Sequence, residues 1–365
     1  MPLENRVAPP DTRRNAVAAE ASTPVLSRIT SKRLSPIDII GLVLVGLLVF
    51  WLVKNFTLAP SYFCEIFLIG LVNGCVYALI ALGYTLVYGI LELINFAHGD
   101  VFMLGSMFAV TAVGWFSVQA GSAWVWPLIL FLLVFSAACC AGINVTIEAI
   151  AYRPLRNAPR VAPLITAIGM SFILQDIALL WKGTSQISFP SLLPTGVAFT
   201  VAGITVHWDK LIVIFLTIPL LLMLVWLVQR TKQGKAMRAV AQDKDAAAIM
   251  GINVNRTISF TFMIAGSLAG AAGVLYALYV TQLYYLQGFQ LGLISFTAAV
   301  LGGIGNLPGA VLGAIIIGCI QAFNEGLSWH APGSDWTEAI VFGILILILV
   351  FRPEGLLGER TPEGG

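Results

Sequence analysis

The chain has 365 residues, of which 58% are hydrophobic and only 10% charged, with a mean hydropathy of +0.91 and a formal net charge of +2. A soluble globular domain carries about a quarter charged residues, whereas a transmembrane helix needs about 20 apolar residues to cross about 30 Å of hydrocarbon, and such runs recur here. Composition thus excludes a soluble domain, and the lack of alternating apolar-polar segments of about ten residues excludes a β-barrel, which leaves an all-α polytopic membrane protein.

Residues 1–35 are polar, carry Arg13, Arg14, Arg28, Lys32 and Arg33, and read as a disordered basic cytoplasmic tail. The first apolar run, Ile37–Val53, has the basic flank of a signal peptide. No convincing small-residue cleavage site follows it and further spans do, so a retained first helix is expected. Further apolar runs fall at 63–90, 99–119, 123–150, 161–181, 210–229, 257–280, 292–323 and 336–351.

Lysine and arginine collect on cytoplasmic loops. Arg153, Arg156 and Arg160 mark one such loop, and Arg230, Lys232, Lys235, Arg238, Lys244 and Arg256 mark the 230–256 loop. Arg352 and Arg360 mark the C-terminus, with 359–365 a short cytoplasmic tail. Residues 182–209 and the acidic 324–338 connection (Glu325, Asp335, Glu338) belong on the opposite side. Run 292–323 must then leave and return to one face, broken within "LGGIGNLPGA". The expectation is eight full crossings plus one broken, re-entrant hairpin, all within a transmembrane domain spanning 36–358.

The segment "LINFAHGD" (93–100) interrupts this apolar sequence with Asn95, His98, Gly99 and Asp100, one turn after Glu92. Three readings stay open. Asn95 or Asp100 caps a helix and shapes a turn; the segment lines a substrate path beside freed helix N–H groups; or His98 and Asp100 relay protons. The "GGIGNLPG" break, with Gly302, Gly303, Gly305, Asn306 and Pro308, resembles it as a glycine-bearing interruption before an apolar helix. The two breaks together form the candidate substrate route.

Within 230–256, helix formers dominate from Lys235 to Met250, and Gly251 stands where a helix C-cap is wanted. Ala246 and Ala247 give it a small face; the loop is either a docking helix for a partner or an interfacial amphipathic loop. Gly266 with Gly270, and Gly309 with Gly313, are spaced for close helix contact, inside one bundle or at a dimer seam. The five cysteines form no C-x-x-C pair and read as packing thiols, and the three histidines have no metal-ligand spacing, so neither metal nor cofactor is expected. No phosphate loop, G-x-S-x-G elbow or H-E-x-x-H pair occurs, so the chain is not expected to be an enzyme.

Asp245, Ala246, Ala247 and Gly251 resemble the E-A-A-x-x-x-G coupling loop of permeases in ATP-binding-cassette importers, with aspartate in place of glutamate. Residues 78–106, 151–176, 296–318 and the closing "RPEGLLG" (352–358) resemble, in order, the branched-chain amino-acid permease family of the LivH type. The basic tail, the added first helix and Asp245 are departures from that pattern. The resemblance implies a permease subunit in the bacterial inner membrane, with both termini cytoplasmic, importing hydrophobic neutral amino acids. It implies two ATP-binding subunits, a sibling permease in a heterodimer and an external substrate-binding protein as partners, and no nucleic acid. Similar permeases serve branched-chain amino acids, broader neutral amino acids, or urea and short amides. The alternative outside this family is a stand-alone channel or proton-coupled carrier using Glu92, Asp100 and Glu148.

Overall fold

A computed structural model describes residues 36–116, 122–156, 158–159, 161–352 and 354–358; the two tails and Arg160 lie outside the described residues. The architecture is all-α. Among the described residues seven helices are long and apolar enough to cross a membrane, and shorter apolar helices accompany them. The first helix, α1 (Pro36–Leu58), is a unit of its own, and the remainder from Ala59 onward forms a second unit.

In the second unit, α2 (Pro60–Leu91) is followed by α3 (Ala97–Val113) and α4 (Val125–Ile147). α4 continues through a π turn, Glu148–Tyr152, into a 3-10 turn, Arg153–Leu155. Then come α5 (Val161–Lys182), α6 (Trp208–Arg230), α7 (Lys232–Gln242), α8 (Lys244–Ile249) and α9 (Val254–Val280). α10 (Gln287–Gly302), α11 (Leu307–Gly326) and α12 (Thr337–Phe351) complete the chain. α2 and α9 are the most buried long helices, whereas α5, α6 and α12 present most of their surface outward.

Four short strands, β1 (Ile187–Ser188), β2 (Val197–Val201), β3 (Ile204–His207) and β4 (Gln282–Leu283), lie in the connections at the end opposite α7 and α8. β2 and β3 form a hairpin turned by Ala202 and Gly203, both at positive φ (51° and 81°), the pair that a tight two-residue turn requires. The Glu65 carboxylate on α2 accepts the Thr205 backbone N–H at 2.9 Å, which fastens the hairpin to the bundle. These strands sit in segments that composition alone marks as loop.

Two expected helices are divided. Run 292–323 becomes α10 and α11, broken at Gly303–Asn306 as its glycines and proline suggest. The expected helix 235–250 becomes α7 and α8, because Asp243 takes an extended conformation and its carboxylate caps α8 by accepting the N–H groups of Asp245 and Ala246, each at 2.9 Å. That cap satisfies donors a helix start otherwise leaves open, and a break is the consequence.

The glycine pairs named above pack inside one bundle. A Cβ on Gly266 would meet Cys140 and Asn144 of α4, one on Gly270 would meet Ser136, and Gly309 and Gly313 press against the backbone of α10. Cys140 likewise packs internally, its thiol 3.3 Å from the Val101 carbonyl, and the described cysteines are all free thiols. The most extensive crossing joins α2 to α11, where a Cβ on Gly318 would stand 2.6 Å from the Gly70 carbonyl oxygen and from the Gly74 Cα. Gly318→Val therefore forces the two helices apart, an overpacking that costs about 1–3 kcal/mol. Thermal unfolding of purified protein in detergent should show a midpoint lowered by several degrees, at about 2–4 °C per kcal/mol. Gly343→Ala on α12, where an added Cβ meets nothing within 4 Å, should leave it unchanged.

Candidate functional site

At Leu91, α2 ends; Glu92 turns the chain in a left-handed conformation (φ 57°), and residues 93–96 run back before α3 starts. The His98 ring lies over Gly83, where a Cβ would collide with it. Gly83 is eight residues before Leu91, so the first turn of α3 starts about 12 Å back along α2. The ring also packs edge-on against Tyr84, centroids 4.9 Å apart. Gly99 faces α10: a Cβ there would stand 2.8 Å from the Gly292 Cα, and one on Gly288 would stand 2.9 Å from the Asp100 Cα. The starts of α3 and α10 thus meet side by side within the bundle.

The side chains of "LINFAHGD" go to separate neighbours. Asn95 accepts the Tyr152 hydroxyl at 2.9 Å, and its backbone carbonyl accepts the His98 N–H. Asp100, fully buried, accepts the Ser171 hydroxyl and, at 3.2 Å, the Gln175 amide N–H, both from α5. The cap expected of Asn95 or Asp100 is not made by either side chain: Phe96 occupies the cap position of α3, without a side-chain bond, because both polar groups are drawn to other helices. His98 and Asp100 contact α2 and α5 respectively, so no hydrogen bond links them as a relay among the described residues. Sequence spacing missed Ser171 and Gln175, as well as the bond from the Gln287 amide to the Ser106 hydroxyl (2.7 Å) that ties the start of α10 to α3.

The capping chemistry appears instead at the second break. Gly303, at φ 104°, ends α10, and Asn306 caps α11 by accepting the Gly309 N–H at 3.0 Å. Pro308 follows in the first turn, where its missing N–H costs nothing. The carbonyls left without helical partners at the end of α10 are met by the C-terminal segment: Leu356 and Leu357 donate their N–H groups to Leu301 and Gly302 at 2.8 and 3.0 Å. The Asn306 amide donates to the Leu357 carbonyl at 2.7 Å. Gly305, Asn306 and Pro308 line a cleft of about 690 Å³ with Thr85 and Gly89 of α2 and Met237 and Arg238 of α7. Ile94 and Ile304, one from each break, line a smaller hollow with Tyr84 and Tyr88. Both breaks therefore flank the last turns of α2.

In the 230–256 loop, Asp245 and Ala246 form the capped first turn of α8, Ala247 is buried, and Gly251 (φ 82°) closes the helix by donating to the Ala248 carbonyl at 3.0 Å. Ile249 is 86% and Met250 81% exposed, so the tip of this six-residue helix presents two large apolar side chains to the outside. Beyond it, Asn253 caps α9 by accepting the Arg256 N–H.

Close by, Glu148, Arg153 and Arg156, named separately in the sequence, come together in one cluster. The π turn after α4 carries Glu148, fully buried, paired with Arg153 at 2.9 Å and with Arg156. Its carboxylate also accepts the Ser259 hydroxyl at 2.8 Å, and Arg156 bonds Asn255, so α9 is tied to the α4–α5 connection. Glu148 is thus neutralised within the chain, as a buried charge must be. Among the described residues no group of three or more histidine, cysteine or carboxylate side chains is placed to hold a metal.

Residues 66–350 match the family model described as "Branched-chain amino acid transport system / permease component". The chain is 38% identical over 297 residues to the high-affinity branched-chain amino acid transport system permease protein BraD of Pseudomonas aeruginosa, covering 80% of this chain and 95% of that one. It is 36% identical over 311 residues to the corresponding LivH protein of Escherichia coli, covering 83% and 97%. The inner membrane ABC transporter permease protein YjfF of E. coli is 25% identical over 303 residues, covering 78% and 82%. On a family match that spans most of its length, from α2 to α12, this multi-pass membrane protein belongs to the permease-component family of branched-chain amino acid transport systems.

Proposed function

We propose that this chain is one of two permease subunits of a bacterial inner-membrane importer for branched-chain and related hydrophobic neutral amino acids. A binding protein delivers the amino acid at the outer face, and two separate ATPase subunits drive the exchange of access. The observation that carries this reading is α8: a capped six-residue helix in the family's coupling pattern, with Ile249 and Met250 outward. Two such side chains on a polar loop suit a groove in a partner. The basic residues Lys232, Lys235, Lys244, Arg153 and Arg352 gather around the same end of the bundle, supporting a cytoplasmic position for it and for the C-terminus; the basic N-terminal tail is assigned there by the same rule.

In this mechanism closure of the ATPases displaces α8, the Gly251–Asn253 turn passes the displacement to α9, and the Glu148 cluster passes it to the α4–α5 connection. The substrate route follows the seam of α3 with α10 and the cleft at Gly302–Pro308. Helix starts leave N–H groups open, and such ends at membrane depth suit the carboxylate of an amino acid. Asn95, His98, Gly99 and Asp100 hold one side of that route, and Gly302, Gly303, Gly305, Asn306 and Pro308 the other.

Three outcomes test this. The tagged chain drawn from native membranes should bring an ATPase with it, and Gly251→Pro, which forbids the positive φ, should lose it; a chain that comes down alone and transports in liposomes without ATP overturns the reading. Asp100→Asn and Asn306→Ala should each lower uptake at least tenfold with the amount of assembled complex unchanged, and normal uptake in both overturns the route. For the joint, Glu148→Gln should lower the amino acid moved per ATP hydrolysed at least fivefold in reconstituted vesicles. A fall of uptake and hydrolysis in equal proportion would assign the cluster to stability alone.

A further inference from the structure

The helix α5 carries a charge that none of the described residues pairs. Its buried face is Ala167, Ser171, Leu174, Gln175 and Ala178, turned toward the bundle, and Ser171 and Gln175 bond Asp100 there. Ile165, Gly169, Phe172 and Asp176 recur at intervals of four, three and four residues, so they share the opposite face, and all four are exposed. Asp176 is the last of the four, six residues before the end of α5. It makes no hydrogen bond or ion pair among the described residues. The basic residue of the same helix, Lys182, places its ammonium over the Trp181 ring, 4.8 Å from the centroid.

Depth makes this carboxylate informative. Trp181 and Trp208 stand at helix termini on the end of the bundle that bears the strands, as do Trp124 and Trp336, in the manner of an interfacial aromatic belt. Asp176 is five residues before Trp181, or about 7.5 Å farther into the membrane along the helix axis. An ionisable side chain below the belt faces protein or a water-lined path, since hydrocarbon does not solvate it. The rest of its face is apolar and belongs in the membrane. Gly169 adds to this: a Cβ there would meet nothing within 4 Å, whereas Gly270 and Gly318 are filled by the backbone of a neighbouring helix. Within the unit from Ala59 onward, the α5 face therefore has the composition of a helix seam with no second helix on it.

We propose that the Ile165–Gly169–Phe172–Asp176 face of α5 is seated against a membrane helix of the second, non-identical permease chain, which presents a hydrogen-bond donor or a cation to the Asp176 carboxylate. The proposal rests on the two-permease reading above and adds where the chains meet. A second copy of this chain is the poorer occupant, because the same face on both sides brings two like charges to one seam. Lipid is poorer still, because acyl chains offer the carboxylate nothing.

The test uses the assembled transporter in native membranes. With Phe172→p-benzoylphenylalanine, and separately Ile165→p-benzoylphenylalanine, irradiation should yield an adduct with the other permease chain, identified by mass spectrometry. An adduct with a second copy of this chain, an adduct with lipid only, or no protein adduct from either position overturns the proposal. In parallel, Asp176→Leu removes the charge from an outward position that has no partner among the described residues. It should lower the co-purified second permease chain, and ATP-driven uptake, at least fivefold; unchanged or increased recovery overturns the proposal. Whether an ATPase accompanies the wild-type chain is measured on the same membranes, so a failed seam is told apart from a failed importer reading.

Discussion

Backbone-to-backbone contact at glycine is the constraint on which the rest of this structure depends. Helices already in lipid gain no further hydrophobic free energy by pairing, so close packing must hold them together. At the crossing of α2 with α11, a Cβ on Gly74 would stand 2.7 Å from the Ile315 Cα. α9 is gripped from two sides at one residue, since Gly270 meets both Gly105 of α3 and Ser136 of α4. The same kind of contact, Gly99 against Gly288 and Gly292, joins α3 to α10 by their first turns. Two helix starts are thereby brought inside the bundle, and a helix start is an array of unpaired N–H groups. Polar side chains collect there for that reason: Gln287 bonds Ser106 with its amide N–H and accepts the Tyr284 N–H with its carbonyl oxygen.

Breaks in membrane helices must be closed by protein wherever water is absent, and the α10–α11 break shows how far the chain goes to do so. Four residues, Gly303 to Asn306, leave the carbonyls of Leu301 and Gly302 without helical partners. The C-terminal segment supplies them from more than fifty residues away, and Asn306 uses both ends of its amide, one on α11 and one on that segment. Residues 354–358 are therefore a structural plug for the break, which gives a physical reason for Gly355: at its φ of 76° a Cβ would stand 2.5 Å from the Gly303 nitrogen.

Composition was enough to read the class of fold, because apolar runs long enough to span leave few alternatives. The Gly303–Asn306 break and the Gly251 turn were legible as well, since glycine at positive φ and proline in a first turn are local signals. Depth was not. The run 99–119 reads like any other span, yet α3 begins beside Gly83 because Glu92 reverses the chain, and nothing local announces that reversal. The split at Asp243 is masked by the helix formers around it, although an aspartate before "KDAA" is a cap signal. Partners were the least legible of all. Asp100 finds Ser171 and Gln175 seventy-one and seventy-five residues away, and Glu148 finds Ser259 one hundred and eleven away. Only the fold brings these together.

Those partners also bear on the choice between a subunit and a self-sufficient carrier. A carrier that moves protons through its own interior needs a carboxylate that changes partners or faces water as access alternates. Asp100 is held by two donors from α5, and Glu148 by two arginines and a serine, each set fixed to helices that glycine contacts pin in place. Two further features stand open on its outside: the apolar tip of α8 at one end, and Asp176 below the aromatic belt toward the other. A polar loop that exposes Ile249 and Met250, and a membrane face that exposes a carboxylate, are each costly for a chain that works alone. Both costs vanish when a soluble partner covers the first and a membrane partner covers the second, as in the proposed assembly.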